Sequence, residues 1–369
     1  MEKGMISERQ FTILAAITII GDSLLVMPGM LASVAKQDAW LSALLSLLLG
    51  LLVTWLFCMA AKCYPKLNLI ASLQKVYGNW LGALLAIIFL FHSLMTSGVV
   101  LREAGDFIQT HSLPKTPTVA VLLLFLVIIV MAIKLRLEAF SRTAELLFGV
   151  FIVFFVFVSI ALLPQIQLKE LQPFFQNGFM PIMRGGLIGV TFSFVEVSAL
   201  LMIAPYVAWN DKKMSNKRFL TGALLGGIVL LFVTFYANTV LGPLLTERQM
   251  YPTYTLAKRI SIGNFLERLE ALLAFMWVIS NYFKIVLHAY ALATGLAQLL
   301  RMKDYSQLAF PVALLVVATA LIIYPNIIFF NTELTRTYPL FDLTIALGIP
   351  MLLVIGALFR KGASSILKL

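Results

Sequence analysis

The chain has 369 residues, of which 61% are hydrophobic and only 12% are charged, and its formal net charge is +11. This composition lies far outside that of soluble globular proteins. Apolar runs long enough to cross a bilayer recur from end to end, so we expect one transmembrane domain over residues 1–369. The first run is expected to be a retained helix and not a cleaved signal peptide. The positive charge is expected on cytoplasmic loops and does not indicate nucleic acid as a partner.

The hydropathy pattern predicts ten transmembrane helices, which makes the chain an all-α polytopic membrane protein. Lysine and arginine are more frequent on the flanks that share a side with the N-terminus, so both termini are expected in the cytoplasm. Residues 255–268 are expected to form a short interfacial helix. The ten predicted helices span residues 11–35, 40–61, 81–103, 118–134, 143–163, 181–208, 219–241, 270–299, 308–324 and 339–359.

Two predicted helices carry small and polar residues at mid-membrane depth, where an ionised side chain costs about 2.5–3.5 kcal/mol to insert. In the first helix they are Gly21, Asp22 and Ser23, and in the sixth they are Gly189, Thr191, Phe192, Ser193 and Glu196. Interruptions in the first and sixth of ten helices indicate a five-plus-five inverted repeat with broken helices at the binding site. The repeats are expected over about residues 6–165 and 178–360. The alternative for the first helix is a small-residue helix contact with a protonated Asp22.

The interruptions suit a zwitterionic ligand. The helix that restarts after Ser23 directs N–H groups and a positive dipole end at the break, which suits a carboxylate. Carbonyl groups released between Gly189 and Phe194 suit an ammonium group. Lys284 is a third titratable group at mid-depth, with Asp22 and Glu196, and all three must pair, face water or become neutral. A role in ligand or proton coupling and a purely structural ion pair both remain open.

The sequence contains no enzyme motif. There is no phosphate loop and no nucleophile elbow. His92, His111 and His288 are too scattered in the sequence to indicate a metal site. We therefore expect no enzymatic activity, no metal and no cofactor. His92 is expected to be a hydrogen-bonded packing residue, with pH sensing as the alternative.

An ordered set of short stretches resembles the B-subunit family of spore germinant receptors, also called endospore germination permeases. The resemblance covers nearly the whole chain, and no single stretch is diagnostic. The stretches are residues 6–11 (ISERQF), 20–22 (IGD), 37–41 (QDAWL), 101–104 (LREA), 113–117 (LPKTP), 251–253 (YPT) and 265–270 (FLERLE). That family is similar to the amino acid–polyamine–organocation transporter superfamily, which has the LeuT-type fold.

The resemblance implies a ten-helix LeuT-type fold with a germinant pocket between the first and sixth helices. It also implies a small nutrient such as an amino acid as ligand, A and C receptor subunits as partners, and the spore inner membrane as location. The alternative function is an amino acid permease, which protons could drive. In sodium-independent relatives a lysine can replace a sodium ion, so Lys284 implies that this chain needs no sodium. The superfamily tends to have Gly-x-Gly in the first helix, where this chain has Gly21-Asp22-Ser23, and a glycine in the sixth helix where this chain has Phe194. Both differences are expected to crowd the backbone that would meet the ligand.

Overall fold

A computed structural model describes residues 4–209, 215–259, 269–324 and 337–361, and these residues are almost entirely helical. The α-helices are α1 (Glu8–Ile20), α2 (Ser23–Ala35), α3 (Ala39–Cys63), α4 (Leu69–Phe107), α5 (Thr118–Leu162), α6 (Phe179–Val190), α7 (Asn216–Tyr236), α8 (Pro243–Arg248), α9 (Pro252–Lys258), α10 (Leu269–Leu299), α11 (Ala309–Ile322), α12 (Tyr338–Asp342) and α13 (Gly348–Lys361). The interfacial helix predicted over residues 255–268 corresponds in part to α9, and residues 260–268 lie outside the described residues.

The first membrane helix is built from two pieces, α1 and α2, which meet at Gly21 and Asp22. Ser7 opens α1 with a capping box, in which its hydroxyl accepts from the Gln10 N–H and its own N–H donates to the Gln10 side chain. Gly21 ends α1 with φ +28°, a conformation that L side chains rarely adopt. The break that the sequence predicts in the first helix is therefore present at the predicted residues.

The sixth helix differs from the prediction, because its backbone changes winding without a non-helical gap. The α-helix α6 continues as a π-helix over Thr191–Val195 and then as a 3-10 helix over Glu196–Met202. Changes between these windings shift the hydrogen-bond register and are frequent at functional sites. The backbone at Val195 and Glu196 remains in the right-handed helical region. We call residues Phe179–Met202 the sixth-helix segment.

Two long helices are divided by residues with positive φ. Gly78 interrupts α4 at φ +80°, and Arg136 interrupts α5 at φ +69°. Arg136 lacks the conformational freedom of glycine, but its guanidinium forms an ion pair with Asp304 at 3.3 Å and lies 5.6 Å over the Tyr305 ring. Hydrogen bonds from the Ser306 side chain and backbone lower the pKa of Asp304, so its carboxylate is ionised for this pair.

Eight helical stretches among the described residues are long and apolar enough to cross a membrane. They are Ser23–Cys63, Leu69–Ser112, Thr118–Gln165, Phe179–Met202, Asn216–Leu241, Leu269–Leu299, Tyr305–Ile322 and Tyr338–Arg360. The all-α membrane class is confirmed, whereas the predicted count of ten helices is not. The numbers differ because Ser23–Cys63 joins α2 to α3 and Thr118–Gln165 contains both parts of α5.

A two-stranded parallel sheet ties the start of the chain to the end of the sixth-helix segment. Strand β1 (Ile6–Ser7) pairs with β2 (Val207–Ala208), with Ile6 opposite Val207. Next to the sheet, the Phe11 ring meets Trp209 and Phe219 edge to face, with ring centres 5.3 and 5.2 Å apart. The first and sixth helices are thereby linked at one end, while their interruptions face α10 in the interior.

Candidate functional site

Lys284, in the middle of α10, extends its side chain to the interruptions of both helices. Its Nζ donates to Asp22 Oδ1 at 2.6 Å and to the Phe192 carbonyl at 3.1 Å, and it forms an ion pair with Glu196 Oε2. We call Asp22, Glu196 and Lys284 the Lys284 triad. A single ammonium group therefore joins the break in the first helix, the sixth-helix segment and α10.

The Lys284 triad is closed to solvent. Lys284 and Glu196 are fully buried, and Asp22 is 4% exposed. Removing charges from water costs several kcal/mol per ion, which close ion pairs and hydrogen bonds must offset. Two carboxylates face one ammonium, so three ionised groups would leave one uncompensated negative charge. The triad is thus suited to take up a further cation, either a proton or a ligand ammonium group.

Gly21 provides the space for the lysine side chain. A Cβ at this position would lie 2.6 Å from Lys284 Cδ and 2.9 Å from the Thr18 carbonyl oxygen. Any larger residue would also have to adopt the φ of +28°. Glycine is therefore required here both by the backbone and by the close approach of the lysine.

Residues of α10 satisfy the carbonyl groups that the break exposes. Trp277 Nε1 donates to the Asp22 carbonyl at 3.0 Å, and the Ser280 hydroxyl donates to the Gly21 carbonyl at 2.9 Å. Asp22 occupies the N-cap position of α2, but its side chain forms no cap hydrogen bond and turns to Lys284. The N-terminus of α2 therefore has no side-chain cap from its N-cap residue, and the binding of a ligand carboxylate there stays a prediction.

Two serines and two aromatic side chains complete the contact between the interrupted helices. The Ser193 hydroxyl donates to Ser23 Oγ at 2.9 Å. The Phe192 ring stacks on Tyr338 of α12, with ring centres 5.4 Å apart. The Tyr338 hydroxyl donates to Glu196 Oε1 at 3.1 Å. Of the predicted site residues, Gly21, Asp22, Ser23, Phe192, Ser193, Glu196 and Lys284 are brought together.

The other predicted site residues have packing contacts instead. Gly189 faces Ser46 of α3 and Met27 of α2, so its lack of a side chain allows close helix packing. The Thr191 hydroxyl donates to the Ile188 carbonyl of its own helix at 2.7 Å. The Phe194 ring packs against Gly50 of α3 and Gly227 of α7, so its contacts in this structure are packing contacts between helices.

Several polar residues of the site were not predicted from the sequence. One of them, Ser280, shares a face of α10 with Trp277 and the predicted Lys284, since these residues are spaced by three and four residues. This polar stripe in an apolar helix is a signal that could have identified Ser280. Tyr338 and Asp342 belong to α12, and no local pattern indicates that they approach Glu196 and His92.

An aromatic layer separates the Lys284 triad from a cavity of about 410 Å³. Phe107, Tyr251 and Trp277 form the layer, with the Phe107 ring centre 5.0 Å from Tyr251 and 4.8 Å from Trp277. Burial raises the pKa of Tyr251 well above its usual range, so its ring is neutral. The cavity is lined by Arg102, Asp106, Thr110, His111, Gln249, Met250, Tyr251 and Thr255. No group of three or more potential ligands for a metal ion occurs among the described residues.

Solved structures define the class of fold. The chain aligns with Mhp1, a nucleobase-cation-symport-1 family transporter in a closed conformation with bromovinylhydantoin bound, at TM-score 0.66 and 13% identity over 98% of this chain and 93% of that one. It aligns with MhsT in complex with L-phenylalanine at TM-score 0.60 and 13% identity, over 97% and 90% of the two chains. At such low identity these likenesses show the fold alone, which is that of LeuT-type transporters.

Sequence relatives identify the family. The spore germination protein family matches residues 5–328. Spore germination protein KB of Bacillus subtilis (strain 168) is 29% identical over 365 residues, which cover 98% of this chain and 96% of that protein. Spore germination protein XB of Bacillus anthracis is 25% identical over 279 residues, or 74% and 76% of the two chains. The chain belongs to the spore germination protein family.

Proposed function

We propose that this chain is the B subunit of a spore germinant receptor and that it binds a small nutrient, such as an amino acid, at the Lys284 triad. Binding passes a conformational change to A and C subunits in the spore inner membrane, and both termini face the cytoplasm. Family membership over residues 5–328 supports the role in germination, and the LeuT-type fold supports a ligand site at the first and sixth helices. A receptor or transporter role also supports the expectation that the chain is not an enzyme.

The observation that carries the proposal is the position of the Lys284 ammonium, held between two carboxylates at a helix break. An amino acid offers the same two kinds of charge. Its ammonium group can take the place of Lys284 at Glu196 and at the Phe192 carbonyl. Its carboxylate can then bind the released Lys284 and the N-terminus of α2. Gly21, Ser23 and Ser193 shape the backbone and the hydroxyl groups around this position.

This mode of binding provides a signal. Because Lys284 connects the break, the sixth-helix segment and α10, a ligand that separates Lys284 from Glu196 weakens the contact between two helices. Glu196 is also held by Tyr338, so the change reaches α12. Packed helix interfaces tend to have discrete arrangements, which converts a small local change into a shift of whole helices.

The nutrient reaches the site from the cavity lined by Arg102 and Tyr251. The aromatic layer of Phe107, Tyr251 and Trp277 closes the route in this structure, so ligand entry requires these rings to move. Arg102 and Asp106 form an ion pair at 3.0 Å on the wall of this cavity and present both charges to an incoming zwitterion. We assign this cavity to the outer side of the membrane.

We further propose ten membrane crossings arranged as two repeats, over about residues 6–165 and 178–360, in a single domain. The first crossing combines α1 and α2, and the two parts of α5 on either side of Arg136 each form one. Helix α3 forms a fourth crossing, and the six other stretches that are long and apolar enough form one each, which gives ten. Accessibility labelling of single cysteines placed in the connecting segments tests the number of membrane crossings and the side of the membrane on which each segment lies.

The second candidate function is an amino acid permease, which a proton gradient could drive. The fold and the cavity beside the aromatic layer favour it, because both are compatible with alternating access. For either function the fixed cation Lys284 replaces a sodium ion at the break. A gain in ligand affinity on addition of sodium would contradict this part of the proposal.

The two functions are distinguished by binding and uptake in liposomes. The full chain is reconstituted and tested with a panel of labelled amino acids. Saturable binding without accumulation supports the receptor, and accumulation supports the permease. Lys284→Met should abolish binding, whereas Lys134→Met, which removes a lysine from the exposed face of α5, should retain it.

Binding that is equal in both lysine variants would refute the site. If the wild-type chain binds no amino acid, the same assay is repeated with the A and C subunits present. Binding that appears only then supports the receptor, and no binding in either preparation refutes the amino acid class of nutrient.

A further inference from the structure

A second polar cluster lies beside the Lys284 triad and is not used by the proposed function. His92 on α4 faces Asp342 on α12, with 2.6 Å between Nε2 and Oδ1. His288 on α10 lies next to this pair, with its ring centre 6.2 Å from that of His92. All three residues are completely buried. We call them the His92 cluster.

Two hydroxyl groups connect the His92 cluster to the Lys284 triad. The Tyr338 hydroxyl lies 3.1 Å from Glu196 Oε1 and 3.3 Å from Thr96 Oγ1. Thr96 Oγ1 lies 3.5 Å from His92 Nε2. A hydroxyl group both donates and accepts. Glu196, Tyr338, Thr96 and His92 therefore form a chain of polar contacts between the Lys284 triad and the His92 cluster.

The balance of charge indicates that this region holds protons. Two carboxyl groups, those of Asp22 and Glu196, contact the Lys284 ammonium, and two further buried ones, those of Asp342 and Glu103, interact with it electrostatically. If all four were ionised, three negative charges would be uncompensated in a region closed to water, at a cost of several kcal/mol each. A proton shared by His92 and Asp342 removes one of these charges. The pair is neutral both as imidazolium with carboxylate and as imidazole with carboxylic acid.

The charged and titratable groups that face this pair come from several elements. Asp342 and His92 interact electrostatically with Glu196, and His288 interacts with His92. The proton on the pair must therefore respond to the charge that Glu196 carries. These groups are Lys284 and His288 of α10, Tyr338 of α12, Glu196 of the sixth-helix segment and, next to Lys284, Asp22 of the break, and the buried Glu103 of α4 interacts with Lys284, Asp22 and Glu196.

We propose that His92 and Asp342 form a proton-binding site whose occupancy is coupled to the charge of Glu196 through Thr96 and Tyr338. What the coupling achieves rests on the proposed function: a nutrient ammonium group that binds Glu196 changes the proton occupancy of the pair. By linkage, the proton in turn changes the affinity for the nutrient by the same factor. The proton site itself is independent of the identity of the nutrient.

The test measures the proton directly, without a nutrient. The chain has only three histidines, so histidine signals can be assigned one by one. The full chain, with ¹⁵N-labelled histidine, is placed in lipid nanodiscs, and ring nitrogen shifts are recorded from about pH 5 to about pH 9. His92→Gln identifies the His92 signal by its loss. Glu138→Gln is the matched control, because it removes a carboxylate at the surface of α5.

The His92 signal is expected to titrate within this range. Glu196→Gln should move its midpoint by about one pH unit or more, which is a tenfold change in proton affinity. Tyr338→Phe retains the ring that stacks on Phe192 and removes only the hydroxyl, so this variant is expected to fold. In the Tyr338→Phe background the effect of Glu196→Gln should fall by at least half. Glu138→Gln should leave the midpoint unchanged.

Three results would overturn the proposal. They are a His92 signal that does not titrate, a midpoint that is equal in wild type and Glu196→Gln, and an effect of Glu196→Gln that persists undiminished without the Tyr338 hydroxyl. A chain that binds no amino acid, either alone or with the A and C subunits, but titrates as expected would refute the amino acid class of nutrient and retain the proton site. A chain that binds amino acids but whose His92 signal does not titrate would refute the proton site and retain the nutrient site.

Discussion

Replacing Lys284 with methionine tests the central contact of the site. Methionine has a similar length and remains apolar, so it should fill the space beside Gly21 without the ammonium group. The loss leaves the Asp22 and Glu196 carboxyl groups buried without their cation. Removing one partner of a buried ion pair costs about 3–5 kcal/mol. We expect the free energy of unfolding to fall by this amount and ligand binding to be lost.

A neutral background separates stability from function. In the triple variant Asp22→Asn, Glu196→Gln, Lys284→Met the Lys284 triad carries no charge, and apolar or neutral replacements of a complete buried ion pair are often close to neutral in stability. The triple variant should therefore regain most of the lost free energy of unfolding while its amino acid binding remains absent.

The assay is denaturant unfolding in detergent micelles, followed by tryptophan fluorescence and combined with the liposome binding assay. Lys134→Met is the control for the loss of one lysine, and it should change the free energy of unfolding by less than about 0.5 kcal/mol. The reasoning is refuted if Lys284→Met has both wild-type stability and wild-type binding. It is also refuted if the triple variant is less stable than the single one.

Three other substitutions separate the roles of neighbouring residues. Gly21→Val places a branched side chain against Lys284 at φ +28°, so binding in liposomes should be lost while the protein still inserts; saturable binding would contradict the role of the glycine. Tyr338→Phe removes the hydrogen bond to Glu196 and should weaken amino acid binding by about tenfold, measured by equilibrium binding, since such a bond contributes about 1.5 kcal/mol. Phe194→Ala should lower the free energy of unfolding by about 3–5 kcal/mol without changing which amino acids bind. A changed selectivity would return Phe194 to the ligand site.

The interruption of the first helix could be predicted because its cause is local. A glycine followed by an acid at mid-membrane depth is unfavourable for an uninterrupted helix whatever surrounds it. Gly21 and Asp22 therefore identify the break from the sequence, and the structure has it at these two residues. Lys284 could be predicted for the same reason, because a buried lysine requires partners wherever it lies.

The partners themselves could not be predicted from local sequence. Tyr338 and Asp342 lie on α12, more than a hundred residues from Glu196 and His92, and only the folded arrangement brings them together. The π-helical turn of the sixth helix also has a tertiary partner, since the Phe192 carbonyl accepts a hydrogen bond from the Lys284 side chain. A sequence pattern can show that such groups need partners, but the partner is determined by packing.

The energy available at the Lys284 triad limits what this chain can do alone. Shifting the populations of two conformations from 1:99 to 99:1 requires a ligand whose binding free energy favours the second conformation by about 5.5 kcal/mol. Separating Lys284 from Glu196 costs about 3–5 kcal/mol. A ligand ammonium group that takes the place of Lys284 restores much of that energy in both conformations of the protein. The difference between the ligand's binding free energies for the two conformations is therefore smaller than a full switch requires. Under the proposed function and the proposed proton site, the remainder would come from the proton of the His92 cluster or from contacts with partner subunits. A receptor subunit built in this way responds completely only within its complex, whereas a permease must complete its cycle with the energy of its own ligands and ions.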